Sequence, residues 1–217
     1  MKTAEIIRRI ERLAPPQLAA DWDNSGVQIA GQAQNVGRLA VCLDPLPDTL
    51  QACLGWSAHF VLSHHPLYFK PQAPDQESAY LRILRDMLPA GAWLYAAHTS
   101  LDQAPGGPAF WLGAELGLRD PAPLEPAADP ELAAQGAGLG QIGDLPQDMA
   151  WSDFLGALAQ RLDRQVWSVA GRPPSRVARV AYCPGSGGSL MDAAKAAGAD
   201  VFITGDIKYH QALEAQI

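Results

Sequence analysis

The 217 residues carry 16 Lys and Arg against 23 Asp and Glu, a net charge of −7, and 48% of them are hydrophobic. That length suits one large or two small packed domains, and the acidic balance excludes the basic stripe a nucleic-acid footprint needs. No run of eighteen apolar residues and no signal-peptide core is present, so the expected chain spans no membrane and is cytoplasmic.

Ile6, Ile7, Ile10 and Leu13 form a helical stripe over 3–13, ended by Pro15-Pro16. Asp21-Trp22-Asp23-Asn24-Ser25-Gly26 then precedes an alternating strand, 27–30. Two readings stand for that hexapeptide: a polar face for a substrate, or an Asx-turn with a packing indole. A strand at 38–42, a helix at 49–57 and a strand at 60–63 make a βαβ unit, which implies a parallel pair. The second strand runs into Leu62-Ser63-His64-His65-Pro66-Leu67. Two histidines at a strand tip occupy the place where open α/β sheets bind ligands. Side chains alternate along a strand, so the imidazoles diverge unless the backbone turns there. The bland alternative is a polar strand end with two solvated histidines.

A helix at 80–88 and a strand at 92–97 follow, the latter ending in His98-Thr99-Ser100-Leu101-Asp102. An apolar helix is expected over 108–116, and the Pro- and Ala-rich stretch 119–137 reads as a linker. Beyond it come a strand start at 139–142, a helix capped by Ser152 and running to Leu162, and strands at 166–169 and 177–183. A helix at 189–197 and a strand at 201–204 complete the second region. The chain then continues as Gly205-Asp206-Ile207-Lys208-Tyr209-His210. Gly185-Ser186-Gly187-Gly188 either holds an anion or is an ordinary turn from strand to helix. Cys42, Cys53 and Cys183 form no CxxC pair; buried, reduced thiols explain them most simply.

The two βαβ units align without a gap at a constant offset of 141. Arg38 meets Arg179, Ala40 meets Ala181, Cys42 meets Cys183, Ala52 meets Ala193 and Ala58 meets Ala199. The expected fold is therefore α/β: two similar lobes related by an internal repeat, with mixed or parallel sheets flanked by helices. The lobes are placed at 1–124 and 125–217, with a ligand site in the cleft between them. The first lobe's later elements have counterparts only at about 221–257. The second lobe is thus expected to lack the strand beside 201–204 and to expose an unpaired edge.

His64, His65, His98 and Asp102 all lie at strand ends of the first lobe. Imidazoles with a carboxylate suit Zn, Mn or Fe, and a carboxylate can bridge two ions about 3.5–4 Å apart. Such a site generates a hydroxide nucleophile near neutral pH. There is no GxSxG, P-loop or GxGxxG sequence. Asp23, Asn24 and Lys208 are the candidates for contacting a small-molecule substrate.

Asp21 to Gly26, Ser63-His64-His65-Pro66, His98 to Asp102 and Thr204 to His210 together resemble the GTP cyclohydrolase type 2 homologues. These are also called NGG-interacting-factor-three-like proteins. The motifs fall in the family's order and cover nearly the whole chain. The resemblance implies a two-lobed α/β fold, a dinuclear divalent-metal site in the cleft and a ring-shaped homohexamer, a trimer of dimers. It implies that His64, His65 and Asp102 are metal ligands, and that His98 is a ligand or general base near them. The family's name implies a GTP cyclohydrolase or related metal hydrolase, acting on a nucleotide-like or phosphorylated substrate through metal-bound hydroxide. The family's remaining His and Glu ligands fall beyond the Gly-Asp-Ile-Lys-Tyr-His stretch, past Ile217. His210 and Glu214, at i and i+4, imitate such a pair but align with its non-ligand segment. The competing function is a non-catalytic metal-binding scaffold or regulatory interaction protein.

Overall fold

Strand alternation organises the first half of the molecule. A computed structural model describes residues 1–216, and its chain divides into two compact units, Met1–Ala104 and Pro105–Ile217. In the first, the helix α1 (Thr3–Leu13) turns Ile6 and Ile10 inward while Arg8 and Arg9 pair with Glu5 on the wet face. The strands β1 (Gly26–Ile29) and β2 (Leu39–Cys42) follow, then α2 (Pro47–Gly55), with a proline in its first turn where no N–H partner is lost. Next come β3 (Phe60–Ser63), α3 (Ala79–Ala90), β4 (Trp93–Ala96) and the single turn α4 (Thr99–Asp102). The Ser78 hydroxyl caps α3 by accepting from the Leu81 N–H, and Gly91 closes it at φ 62°, a left-handed conformation that favours glycine.

The sheet order is β1-β4-β3-β2, with β2, β3 and β4 parallel and β1 antiparallel to β4. Phe60 and Tyr95 point to the face covered by Ile6 and Ile10 of α1. Val61 and Leu94, one position out of step, point to the opposite face and pack with Leu50 of α2 and Ile83 and Met87 of α3. Both faces are thus buried, which is why β3 reads as a continuous apolar run.

The second unit begins with α5 (Pro108–Leu116). The expected linker is structured: β5 (Arg119–Ala122), β6 (Glu125–Pro126) and α6 (Pro130–Ala134) lie within it, and β7 (Gly138–Leu139) pairs with β6. Then come β8 (Gln141–Ala150), α7 (Trp151–Leu162), β9 (Arg176–Ser186), α8 (Met191–Ala196), β10 (Val201–Asp206) and α9 (Tyr209–Glu214). The sheet order is β10-β9-β8-β5; β10 runs parallel to β9, and the other two pairs are antiparallel. Leu112 and Leu116 of α5 pack with Phe154, Leu158, Val177 and Val180, so α5 belongs to this core. Because α5 and β5 join the second unit, the division falls between Ala104 and Pro105 rather than at 124.

Three further expectations are corrected. Residues 166–169 form no strand, and Val166 is 86% exposed. Helix α7 starts at Trp151 behind Ala150, so Ser152 lies inside it. The second sheet contains the ten-residue β8, read from sequence only at its first residues. Within the sheets, Leu39 of β2 faces Phe60 of β3, and Val180 of β9 faces Val201 of β10, the same separation in sequence. Beyond those pairs the sheets differ, since β3 continues to β4 whereas β10 is an edge.

Candidate metal centre

The C-terminal ends of three neighbouring parallel strands supply the site. Asp44 follows β2, His64 and His65 follow β3, and His98 and Asp102 follow β4. The backbone does turn at the paired histidines: the Ser63 hydroxyl donates to the His65 carbonyl at 2.8 Å, and the His65 N–H donates to the Leu43 carbonyl. The imidazoles therefore converge instead of diverging. Ring centroids lie 5.0 Å apart for His64 and His65, 5.2 Å for His64 and His98, and 5.5 Å for His65 and His98. Ligand-capable atoms of all three histidines lie within 4.8 Å of one another.

Each ring is oriented by an oxygen at Nδ1. His64 meets the Ala97 carbonyl at 3.0 Å, His65 meets Asp44 at 2.7 Å, and His98 meets Asp23 at 2.8 Å. A carbonyl or ionised carboxylate only accepts, so each Nδ1 carries a hydrogen, and in the neutral imidazole Nε2 is then the nitrogen with the lone pair. That is the arrangement in which a metal-ligating histidine is held. The donor set fits a divalent ion of borderline softness, with Asp102 adjacent at 3.7 Å from the His64 Nε2. Burial pushes the His64 imidazolium down, outweighing the opposing pull of Asp102, so the neutral ligand form prevails. Burial likewise raises the Asp102 carboxyl, against the pull of His64 and His98. A bound dication would reverse that preference and favour the carboxylate.

Two substrate candidates are hydrogen-bonded into the frame of the site. The Asp23 side chain has no exposed surface. It accepts from His98 Nδ1, the Asn24 N–H, the Ser25 hydroxyl and both the N–H and the hydroxyl of Thr99. Burial works to raise its carboxyl, but those hydrogen bonds prevail and hold it well below the usual carboxylate range. Asp23 thus stays charged and orients His98. Asn24 donates through Nδ2 to the Tyr68 carbonyl at 2.8 Å and to Gln28 at 3.1 Å, so its amide hydrogens join two loops. Lys208 belongs to the second unit, exposed at the start of α9, where its N–H donates to Gln211. His210 and Glu214 are exposed on the same short helix. Among the described residues, His64, His65 and His98 are the one group of three or more that meets the geometry of a metal site. His98 joins the other two histidines more closely than the expected set of His64, His65 and Asp102 allowed.

Asp44 escaped the sequence reading. Its one signal is its place at the tip of the strand next to the one bearing His65, and that adjacency exists only once the sheet is assembled. The Gly185 to Gly188 stretch carries the end of β9 into a 3₁₀ helix at Gly188–Leu190: the Gly187 N–H donates to the Thr204 hydroxyl, and the Gln211 amide lies over Gly188.

The fold and site together define an α/β protein whose parallel strand tips gather three imidazoles that could hold a metal ion. The family model for DUF34/NIF3 (NGG1p interacting factor 3) matches residues 1–217, and the chain belongs to that family. A Streptomyces coelicolor protein named GTP cyclohydrolase 1 type 2 homolog is 32% identical over 99% of this chain and 76% of its own length. A Drosophila melanogaster NIF3-like protein 1 is 30% identical over 98% of this chain and 72% of its own. Among solved structures, a Staphylococcus aureus protein superposes with TM-score 0.86 at 26% identity, covering all of this chain and 82% of that one. Reduced HcgD from Methanocaldococcus jannaschii matches with TM-score 0.80 at 26% identity, over 100% and 83% of the two chains.

Proposed function

We propose that the protein is a divalent-metal-dependent hydrolase acting on a nucleotide-like or otherwise phosphorylated small molecule. The observation that carries this reading is the gathering of the three histidines, one ring nitrogen of each within 4.8 Å of the others, with every ring fixed at Nδ1 by an oxygen acceptor. A divalent ion held there supplies Lewis acidity and brings the pKa of a coordinated water toward neutrality. His64, His65 and His98 hold the ion and Asp102 is the adjacent carboxylate. Asp44, the Ala97 carbonyl and Asp23 fix the rings. His98 is read as a ligand, since its Nδ1 already donates to Asp23. The relatives' printed names point to a nucleotide.

The finer reading extends to two ions per subunit, Zn, Mn or Fe, and to two similar lobes repeated in a cytoplasmic homohexamer. The equal register of the β2–β3 and β9–β10 pairs supports the repeat. Among the described residues, no helix is long and apolar enough to cross a membrane.

The test is metal analysis of the purified protein, followed by a nucleotide and phosphoester hydrolysis screen with and without chelator. The His64→Ala/His65→Ala variant should lose its metal and remain folded; unchanged stoichiometry overturns the site. Metal bound at full stoichiometry with no turnover on any substrate favours the non-catalytic scaffold. His98→Ala should lower metal content and turnover together, whereas a loss of turnover alone restores it as a general base.

A further inference from the structure

Beside the histidines stand two aromatic side chains that have no part in orienting them. Trp22 is 62% exposed and Phe69 is 53% exposed. Their ring centroids lie 5.8 Å apart at an interplanar angle of 52°. Each also reaches His98: Trp22 at 5.9 Å and edge-on, Phe69 at 5.8 Å and tilted. Packing aromatics in this unit look different, with Phe60 and Tyr95 almost wholly buried. An indole and a phenyl ring left side by side in water, at the rim of a polar cluster, mark a surface kept for a ligand.

The pair is held firmly from beneath. The Ala20 N–H donates to the Thr99 hydroxyl oxygen at 2.9 Å, and the Asp23 N–H closes a turn onto the Ala20 carbonyl at 2.8 Å. Asp23 grips His98, and the Ser25 hydroxyl oxygen accepts from the His98 N–H at 3.1 Å. Asn24 ties this loop to the one bearing Phe69 through the Tyr68 carbonyl. Gln28 of β1, itself buried, accepts from the Leu67 N–H and donates to the Asn24 carbonyl at 2.6 Å, which fastens the two loops a second time. Residues 20 and 23–25 are thus bolted down while the intervening Trp22 faces solvent. A ring presented this way loses little freedom on binding, so its contact energy is retained in affinity.

We propose that Trp22 and Phe69 form a stacking platform for the planar heteroaromatic ring of the substrate, setting that ring beside the three histidines. This rests on reading the cluster as a metal-dependent hydrolytic site. At 52° the two rings do not sandwich a base; one face takes it and the other ring closes its flank. Every base has a π-face, so the platform selects a nucleotide over a sugar phosphate without choosing among bases.

The experiment compares GMP with ribose 5-phosphate by calorimetry on the metal-loaded protein, the second probe carrying an anomeric hydroxyl where the first carries its base. GMP should bind at least fivefold tighter. Trp22→Ala and Phe69→Ala should each weaken GMP roughly five- to hundredfold and leave ribose 5-phosphate unchanged. Trp22→Tyr should keep most of the GMP affinity, and metal content should match wild type in all three variants. Equal binding of the two probes, or equal loss of both in Trp22→Ala, overturns the platform. So does a change in oligomer mass by light scattering with GMP affinity intact, which makes the pair a subunit contact. If neither probe binds while metal remains at full stoichiometry, the platform falls and the metal centre stands. If the protein takes up no metal, the underlying reading falls with it.

Discussion

An imidazole presents one nitrogen to an ion reliably only when the other is committed, and Asp23 does this for His98 with a buried carboxylate. Asp23→Asn keeps the shape and removes the charge, and it leaves the amide unable to accept every hydrogen bond now made. Metal affinity should fall about 10–100-fold, measured by titration against a competing chelator; an unchanged affinity would show that the orientation is set elsewhere. Cys42 is a residue of the opposite kind. Burial is the main cause that pushes its thiol up to about 11, with Cys53 and Asp44 adding to it. Little thiolate exists at pH 7, so alkylation by iodoacetamide should run more than about tenfold slower than for a free cysteine. The clustering of His64, His65 and His98 was legible because ligand-type side chains follow apolar strands at their tips. Asp44 was not, because a carboxylate 21 residues from His65 meets it only through the pairing of β2 with β3. Asp23 and Asn24 were seen as polar, but burial decides between contacting a substrate and bracing a loop, and burial is a property of the assembled fold.

The strands β3 and β4 carry the histidines, and their fully buried residues set how firmly. Leu94 has no exposed surface and packs with Val61, Ile83 and Met87. Leu94→Ala should cost about 2–5 kcal/mol in denaturant unfolding, from lost transfer energy and the cavity left behind. A cost under about 1 kcal/mol would mean that α2 and α3 close the gap freely. These two strands could be read from sequence because both their faces are covered, which demands uninterrupted apolar residues. Strand β8 could not. Its Gly143, Asp144 and Pro146 interrupt the apolar pattern, and the ladder to β9 is broken between Asp144 and Met149 while the strand continues. Residues 166–169 show the converse error. Val-Trp-Ser-Val has strand composition, yet Val166 and Val169 stay exposed, because β propensity decides little without a partner strand.

All four proposed metal-site residues, His64, His65, His98 and Asp102, fall inside the unit Met1–Ala104, and this gives metal binding a distinct signature over the whole molecule. An ion that binds only the folded unit stabilises it by about 2.7 kcal/mol at a free concentration a hundred times its Kd. For a unit of this size that is on the order of 10 °C in melting temperature. Pro105–Ile217 has its own core around Phe154, Leu158, Val177 and Val180. Calorimetry with and without chelator should therefore move one part of the unfolding endotherm and leave the rest in place. Hydrogen exchange resolves which part. Metal should slow exchange in 20–28, 60–68 and 94–102, the segments that hold the three rings, and the His64→Ala/His65→Ala variant should show no slowing. Strands β9 and β10 and the helix α9 should exchange at the same rate with and without metal. Protection spreading to 209–214 would mean that His210 and Glu214 take part in binding, and the first unit would then not hold the ion alone.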